Sequence, residues 1–250
     1  VFSHCDGVAC AFSGGADSVL LLTLLRRYCL ENGYPLTAIH VHHGIRGRTA
    51  DSDAAFCEAF CAAWNIPFRL CCVDVPQYTV EHHCGMEEGA RILRYEAIEN
   101  AVPEAYAIAT AHNATDQVET VMFHLCRGSG LDGICGISPV RGRIVRPLLF
   151  LPSDEIRDVC AAESIPYVVD ETNLTNDCTR NYIRHEIVPR LERVHPGVEN
   201  AVRQMTELVR EDMRVLDGIA DEVLAKAPGR ADLIALPEGI RSRVLRTMYK

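Results

Sequence analysis

Short apolar runs alternate with longer stretches of three-to-four periodicity along most of the chain, a rhythm that predicts strand, helix, strand, helix. Val8 to Phe12 has the small, apolar composition of a buried parallel strand, and an apolar helical stretch from Val19 to Leu30 follows, begun by Asp17 and Ser18. Leu36 to Val41 and Phe68 to Val75 predict two more strands. Between them Asp51 to Trp64 predicts a helix with Ala54, Cys57, Phe60 and Cys61 on one face. Met86 to Asn100 predicts the next helix, and Ala105 to Ala111 a fourth strand of small and β-branched residues. Ile144 to Leu149 predicts a fifth strand, with Ser153 as cap candidate for the helix behind it, and Ile165 to Val169 reads as a short last strand. Connections of this length suit parallel crossovers, so the expected fold class is α/β: a doubly wound parallel sheet with helices on both faces. Ligands of such sheets gather beyond the carboxyl ends of the strands, where the strand order reverses.

The pattern changes at Val198. Val198, Val202, Met205, Val209, Leu216, Ile219 and Val223 form an apolar seam, interrupted at Asp212, along one long amphipathic helix. The expected organisation is an α/β domain over residues 1–193 and a helical linker or partial second domain over 194–250. The chain reads as a trimmed piece of a longer protein.

Composition narrows the classes. A net charge of −9 over 250 residues argues against indiscriminate nucleic-acid binding and leaves room for a local basic groove. No apolar run is long enough to cross a membrane and no signal-peptide pattern opens the chain, so a cytoplasmic setting is expected. The twelve cysteines include no CxxC pair and read mostly as small core residues in a reducing compartment. The histidines His40, His42 and His43 lack the companions that would complete a tetrahedral zinc set.

Candidate chemistry begins at Ser13-Gly14-Gly15-Ala16-Asp17-Ser18, where the first strand meets its helix. Ser-Gly-Gly permits a tight turn whose N–H groups face an anion, and the helix start adds unpaired donors and the positive end of its dipole. Neither GxxxxGK[ST] nor GxGxxG is present. A second constellation follows the fourth strand: His112 at the strand exit, Thr115 as a helix cap, and Asp116 and Glu119 three residues apart on one face, suited to Mg²⁺ or to an amine nucleophile. Gly130, Gly133 and Gly136 at intervals of three fit either a close backbone approach or a flexible loop. Arg180 and Arg184, at i and i+4, present two guanidiniums that could clamp phosphate or carboxylate, or pair with Asp170 and Glu171. Arg46, Arg91, Arg94, Arg127, Arg141 and Arg143 are candidate contacts to nucleic-acid phosphates. For Arg91 and Arg94, beside Tyr95, a phosphate contact and a solvated charged face weigh equally.

SGGADS after a buried strand resembles the pyrophosphate-loop (PP-loop) ATPases, which split ATP between its α and β phosphates. Four further blocks in order, HVHHGIR, EGARILRY, TAHNATDQVET through CRGSGLDGI, and DETN with RNYIRHEIVP, resemble the tRNA(Ile)-lysidine synthase branch from about Val8 to Arg193. The resemblance implies a Rossmann-like, adenine nucleotide alpha hydrolase-like domain. It also implies an ATP-dependent ligase that adenylates the C2 carbonyl of the wobble cytidine in the CAU anticodon of tRNA(Ile), after which free L-lysine displaces AMP. By the same resemblance Ser13, Gly14, Gly15 and Ser18 cradle polyphosphate and Asp17 helps hold Mg²⁺. Asp116 and Glu119 receive the lysine amine, with positioning the expected duty rather than base catalysis, and His112, Arg180 and Arg184 serve adenylation. Cofactors would be ATP and Mg²⁺, and the oligomeric state is left open, a homodimer included. Thr115 stands where many members carry an aspartate. The alternatives are a tRNA 2-thiolation enzyme of the same fold group, whose usual CxxC pairs this chain lacks, and a module that senses ATP without turnover.

Overall fold

The apolar positions of Val8 to Phe12 are realised as a central strand with different partners on its two faces. The computed structural model describes residues 2, 4–45, 48–169 and 179–249. β1 (Gly7–Ala11) leads into α1 (Ala16–Asn32), β2 (Leu36–His42), α2 (Arg48–Ala63), β3 (Phe68–Cys72), α3 (Val75–His82) and α4 (Met86–Ala101). β4 (Tyr106–Ala109), α5 (Ala114–Cys126), α6 (Leu131–Ile134), β5 (Val140–Arg141), β6 (Ile144–Val145) and α7 (Ser153–Ala162) follow. α8 (Thr179–Tyr182), a π turn (Ile183–Ile187) and α9 (Val188–Val194) are continuous, and α10 (Val198–Ala225), α11 (Arg230–Ala235) and α12 (Glu238–Met248) complete the chain.

The strands form one sheet in the order β3-β2-β1-β4-β6-β5. Every pairing is parallel except the antiparallel edge pair β5–β6. Alternation decides which layer each residue serves: Val8 and Cys10 join the cluster built with Leu21, Leu22, Cys57, Phe60 and Ile156. Ala9 faces the other layer, with Ile39, Ile98, Ile108 and Ile144. Helices therefore cover both faces, as a doubly wound sheet requires. The order reverses between β1 and β4, so the Phe12–Gly15 loop and the Thr110–Asn113 segment meet at the switch point.

Several elements depart from expectation. The fifth strand is shorter than Ile144 to Leu149: β6 ends at Val145, and Leu148 and Leu149 are buried in the turn after it. Ile165 to Val169 is no strand; it is held by single contacts such as Val168 N–H to the Gly14 carbonyl at 2.9 Å, which ties it to the first loop. Asp74 caps α3, a helix that the short stretch after the third strand gave no reason to expect, by accepting from Gln77 N–H at 2.9 Å. The N-cap of α5 is Asn113, not Thr115, and that of α7 is Pro152, with Ser153 one position inside.

α10 docks on α5. Val118 and Val121 pack against Val202, and each buried valine contributes roughly 1.5–3 kcal/mol. The buried line of α10 runs through Val202, Thr206 and Ala220, while Met205 and Ile219 of the expected seam stay exposed. Polar contacts rotate the helix this way. Buried Gln117 donates to the Thr206 hydroxyl at 3.2 Å and to the Cys135 carbonyl at 3.3 Å, and accepts from Ile137 N–H at 2.6 Å. Arg210 donates to the carbonyls of Cys135 and Ile137 at 2.5 and 2.7 Å. Gly136 lies in this junction with φ +61°, and a Cβ there would come within 2.8 Å of Gln117, so the close approach expected of the glycine loop is to the protein's own helix. Among the described residues no helix is long and apolar enough to cross a membrane.

Candidate active site

β1 delivers its chain to the loop anchored by hydrogen bonds to β2. Phe12 N–H donates to the Ile39 carbonyl at 2.8 Å, and the Phe12 carbonyl accepts from buried His40 Nδ1 at 2.9 Å. Burial lowers the His40 pKa, and Cys57 Sγ, whose thiol is pushed up to about 12 by burial, lies 3.4 Å from the same Nδ1. His40 is thereby a neutral structural group. Gly14 then turns the chain at φ +88°, where a Cβ would lie 3.1 Å from Cys57 Sγ and 3.2 Å from the Phe56 ring.

Ser18 closes the turn from within. Its buried hydroxyl accepts from Ser13 N–H at 3.2 Å and Gly14 N–H at 3.1 Å, lies 3.1 Å from Ser13 Oγ, and donates to the Gly15 carbonyl at 2.9 Å. Two donors expected to face an anion are thus engaged inside the loop. Those left for a ligand belong to the first turn of α1, at Ala16, Asp17 and Ser18, whose N–H groups have no intrahelical acceptor and no side chain of the N-cap Gly15 to satisfy them. Asp17 stands among them. Its Oδ1 is buried without a hydrogen-bond partner, while Asn113 bonds its side chain. Burial, then the nearby Asp116 carboxylate, raises its pKa, with Asn113, Arg184 and Arg157 acting in the opposite direction.

Across the switch point, Asn113 and Asp116 form a capping box. Asp116 N–H donates to Asn113 Oδ1 at 3.0 Å and Asn113 N–H to Asp116 Oδ2 at 3.0 Å. This fixes the Asp116 carboxylate rather than merely placing it at a helix start. Glu119 is buried one turn on, at 3 % exposure. Arg184, from the π turn, joins the two: Nη2 donates to Asp116 Oδ1 at 3.1 Å and Glu119 Oε2 at 3.2 Å, and Nε donates to Glu119 Oε1. Burial raises the pKa of both carboxylates, that of Glu119 to about 7, with Arg184 opposing the shift.

Arg180 takes another course. Its Nε pairs with Glu87 Oε1 at 3.0 Å and its guanidinium lies 6.0 Å from the Phe123 ring. The two arginines therefore do not act as one clamp, and the wider spacing of a π turn separates them along the helix. Asp170 and Glu171, offered as their partners, lie outside the described residues, as does Arg46. His112 Nδ1 is 3.0 Å from the Thr110 hydroxyl. Burial and the guanidiniums of Arg146, Arg94, Arg91 and Arg180 lower its pKa to about 3, so the ring is neutral at physiological pH.

The remaining basic candidates divide. Arg91, Arg94 and Arg141 converge on the Tyr95 ring, at 5.8, 5.7 and 5.2 Å from its centroid. Arg127 lies 4.8 Å from the Phe123 ring at the end of α5. Arg143 precedes β6 on the amino edge of the sheet, where it donates to the carbonyls of Pro103 and Glu99 at 3.0 and 2.6 Å, away from the loop. Sequence reasoning passed over Asn113 and buried Arg146 as site residues. Asn-x-x-Asp before an apolar helix was a legible capping box; nothing along the chain marked Arg146 among its neighbours.

The PP-loop domain family matches residues 3–191. The chain is 33% identical over 256 aligned positions to the tRNA(Ile)-lysidine synthase of Dehalococcoides mccartyi, covering 98% of this chain and 54% of that protein. It is 39% identical over 205 positions to the tRNA(Ile)-lysidine synthase of Thermotoga maritima, covering 81% of this chain and 49% of that protein. The chain thus spans about half the length of these curated relatives. Among solved structures, the U34-tRNA thiolase NcsA from Methanococcus maripaludis has the same fold, with a TM-score of 0.67 at 22% identity over 84% of this chain and 74% of that one. Together with the glycine turn at the switch point and the open first turn of α1, the match over three quarters of its length establishes that the chain belongs to the PP-loop domain family.

Proposed function

We propose that this chain is the ATP-using, catalytic part of a tRNA(Ile)-lysidine synthase, with residues 1–193 as the catalytic domain and residues 194–250 as a helical linker or the start of a tRNA-binding domain. The observation that carries this reading is one sheet edge holding both a glycine turn with an open helix start, at Ser13 to Ser18, and a pair of carboxylates, half-buried Asp116 and buried Glu119, bound to the Arg184 guanidinium. The first suits the polyphosphate of ATP and the second a substrate ammonium. Relatives of that name at 33% and 39% identity support the choice within the family.

In the first half-reaction the C2 carbonyl oxygen of the wobble cytidine attacks the α-phosphorus and pyrophosphate leaves. The α1 N-terminus holds the polyphosphate in line and offsets its charge. Asp17 fits Mg²⁺, since its buried Oδ1 has no partner of its own; the ion would neutralise the departing pyrophosphate. In the second half-reaction the ε-nitrogen of lysine bonds to C2, the C2–O bond breaks, and AMP leaves with the oxygen. Asp116 and Glu119 orient the amine. Glu119, pushed up to about 7, is also closer than an ordinary carboxylate to the working range of a general base. His112 stays neutral and serves as a hydrogen-bonding group rather than a cation. Arg91, Arg94, Arg141 and Arg127, with their aromatic partners, form the surface offered to the anticodon of the CAU-bearing tRNA(Ile). The expected setting is cytoplasmic, and a homodimer is compatible with this arrangement.

The test is ATP–pyrophosphate exchange and labelled-lysine incorporation with unmodified tRNA(Ile) bearing a CAU anticodon, using this chain beside a full-length version of the protein. Lysine-dependent AMP release from both, or from the longer form alone, supports the reading. Exchange without lysine transfer in either form would overturn it.

A further inference from the structure

We propose that Arg184 is an internal placeholder for the amine substrate, filling the cation seat between Asp116 and Glu119 until a polyphosphate at the Ser13–Ser18 loop draws its guanidinium away, so that nucleotide binds before amine. The identity of the amine rests on the function proposed above; the placeholder role does not.

The two carboxylates have four oxygens, and each is already engaged. Asp116 Oδ2 accepts from Asn113 N–H at 3.0 Å, which is part of the helix cap. Arg184 supplies the donors to the other three, Asp116 Oδ1, Glu119 Oε1 and Glu119 Oε2. An incoming ammonium seeks the same oxygens with the same charge, so it must displace the guanidinium or share its acceptors. Sharing places two cations on two carboxylates in a half-buried site, a like-charge contact that desolvation makes worse.

The geometry also provides for release. Arg184 stands on a π turn, a helix geometry found mostly as single-turn bulges and frequently at functional sites. Its charge acts on Asp17 at the first turn of α1. A bound polyphosphate would bring several negative charges to that turn and offer the guanidinium a bidentate partner. The carboxylates would then be left desolvated and without a cation partner, which favours capture of an ammonium at that stage of the reaction.

The experiment measures lysine binding to the chain by thermal shift and calorimetry, with and without a non-hydrolysable ATP analogue and Mg²⁺, for wild type and Arg184→Ala. Wild type should bind lysine about tenfold more weakly without the nucleotide analogue than with it. Arg184→Ala should bind lysine without it, tightened about tenfold if the seat is open in roughly one wild-type molecule in ten. Norleucine, which lacks the ε-nitrogen, should bind neither. Arg184→Lys covers the case in which the alanine variant fails to fold: its ammonium lacks the planar fork that pairs with both oxygens of a carboxylate, so its nucleotide-free lysine binding should fall between the two. Wild type that binds lysine fully without nucleotide, or an Arg184 variant that binds it no more tightly than wild type, overturns the proposal. Butylammonium separates this inference from the proposed function. If Arg184→Ala binds butylammonium and wild type does not, while no lysine reaches tRNA, the placeholder stands and the lysidine reading falls.

Discussion

The hydroxyl of Thr115 donates to Glu199 Oε1 at 2.6 Å, joining the first turn of the site helix α5 to the first turn of α10 across 84 positions of sequence. Thr115 adjoins Asp116, so α10 is connected directly to the carboxylate pair. Burial raises the Glu199 pKa, with the Thr115 hydrogen bond opposing the shift. Replacing Thr115 by valine should remove the donor and lower stability by about 0.5–1.5 kcal/mol. Urea denaturation checks this, and Glu199→Gln, which keeps an acceptor, should be nearer to wild type.

Gly14→Ala should be more severe. The position has φ +88°, and the added methyl would press on Cys57 Sγ and the Phe56 ring at 3.1 and 3.2 Å. A cost of about 1–3 kcal/mol is expected from the backbone alone, together with loss of nucleotide binding by the distorted loop. An unchanged denaturation midpoint and unchanged nucleotide affinity would count against the loop geometry described above.

Asp17→Asn separates stability from function. The carboxylate is held against its preference for water, with one oxygen lacking a partner, so the neutral amide should leave stability unchanged or raised. If Asp17 holds Mg²⁺, the ion concentration for half-maximal pyrophosphate exchange should rise on the order of tenfold or more. Titrating Mg²⁺ in that exchange assay for both proteins decides the matter.

Two groups give opposite pH dependences. Glu119 has its pKa raised from 4.5 to about 7, so the folded chain holds a proton that the unfolded chain releases, and its contribution to stability falls as pH rises through that window. His112 has its pKa lowered from 6.5 to about 3, so the unfolded chain takes up a proton that the folded chain refuses, and stability falls as pH drops through that window. Between 4.5 and 6.5 the two slopes oppose each other. His112→Gln should uncover the Glu119 slope, so that the variant gains stability relative to wild type as pH falls through this range. Denaturation midpoints of both proteins across the range provide the check, and parallel curves would contradict the assignment.

By itself the sequence determined the layer architecture, the switch-point loop and the identity of the carboxylates. Those are local matters: the apolar pattern of Val8 to Phe12 and Ala105 to Ala111 dictates buried strands, Gly14 permits a left-handed turn, and Asp116 and Glu119 fall on one helix face by spacing alone. Only the tertiary structure decided what these groups touch. The spacing of Arg180 and Arg184 left both a clamp on phosphate or carboxylate and a pairing with Asp170 and Glu171 open; in the fold Arg184 lies on Asp116 and Glu119 while Arg180 pairs with Glu87. Ser18 keeps its N–H at the open helix start, while its hydroxyl serves the loop's own N–H groups, a partnership that spacing did not reveal. The apolar seam of α10 was read from periodicity, yet Gln117 and Thr206 turn a different line of residues inward. The reason is common to all three. A charged or hydrogen-bonding side chain near a desolvated site takes the partner that best offsets its burial, and that partner is supplied by a segment distant in sequence, whose position periodicity and spacing do not encode.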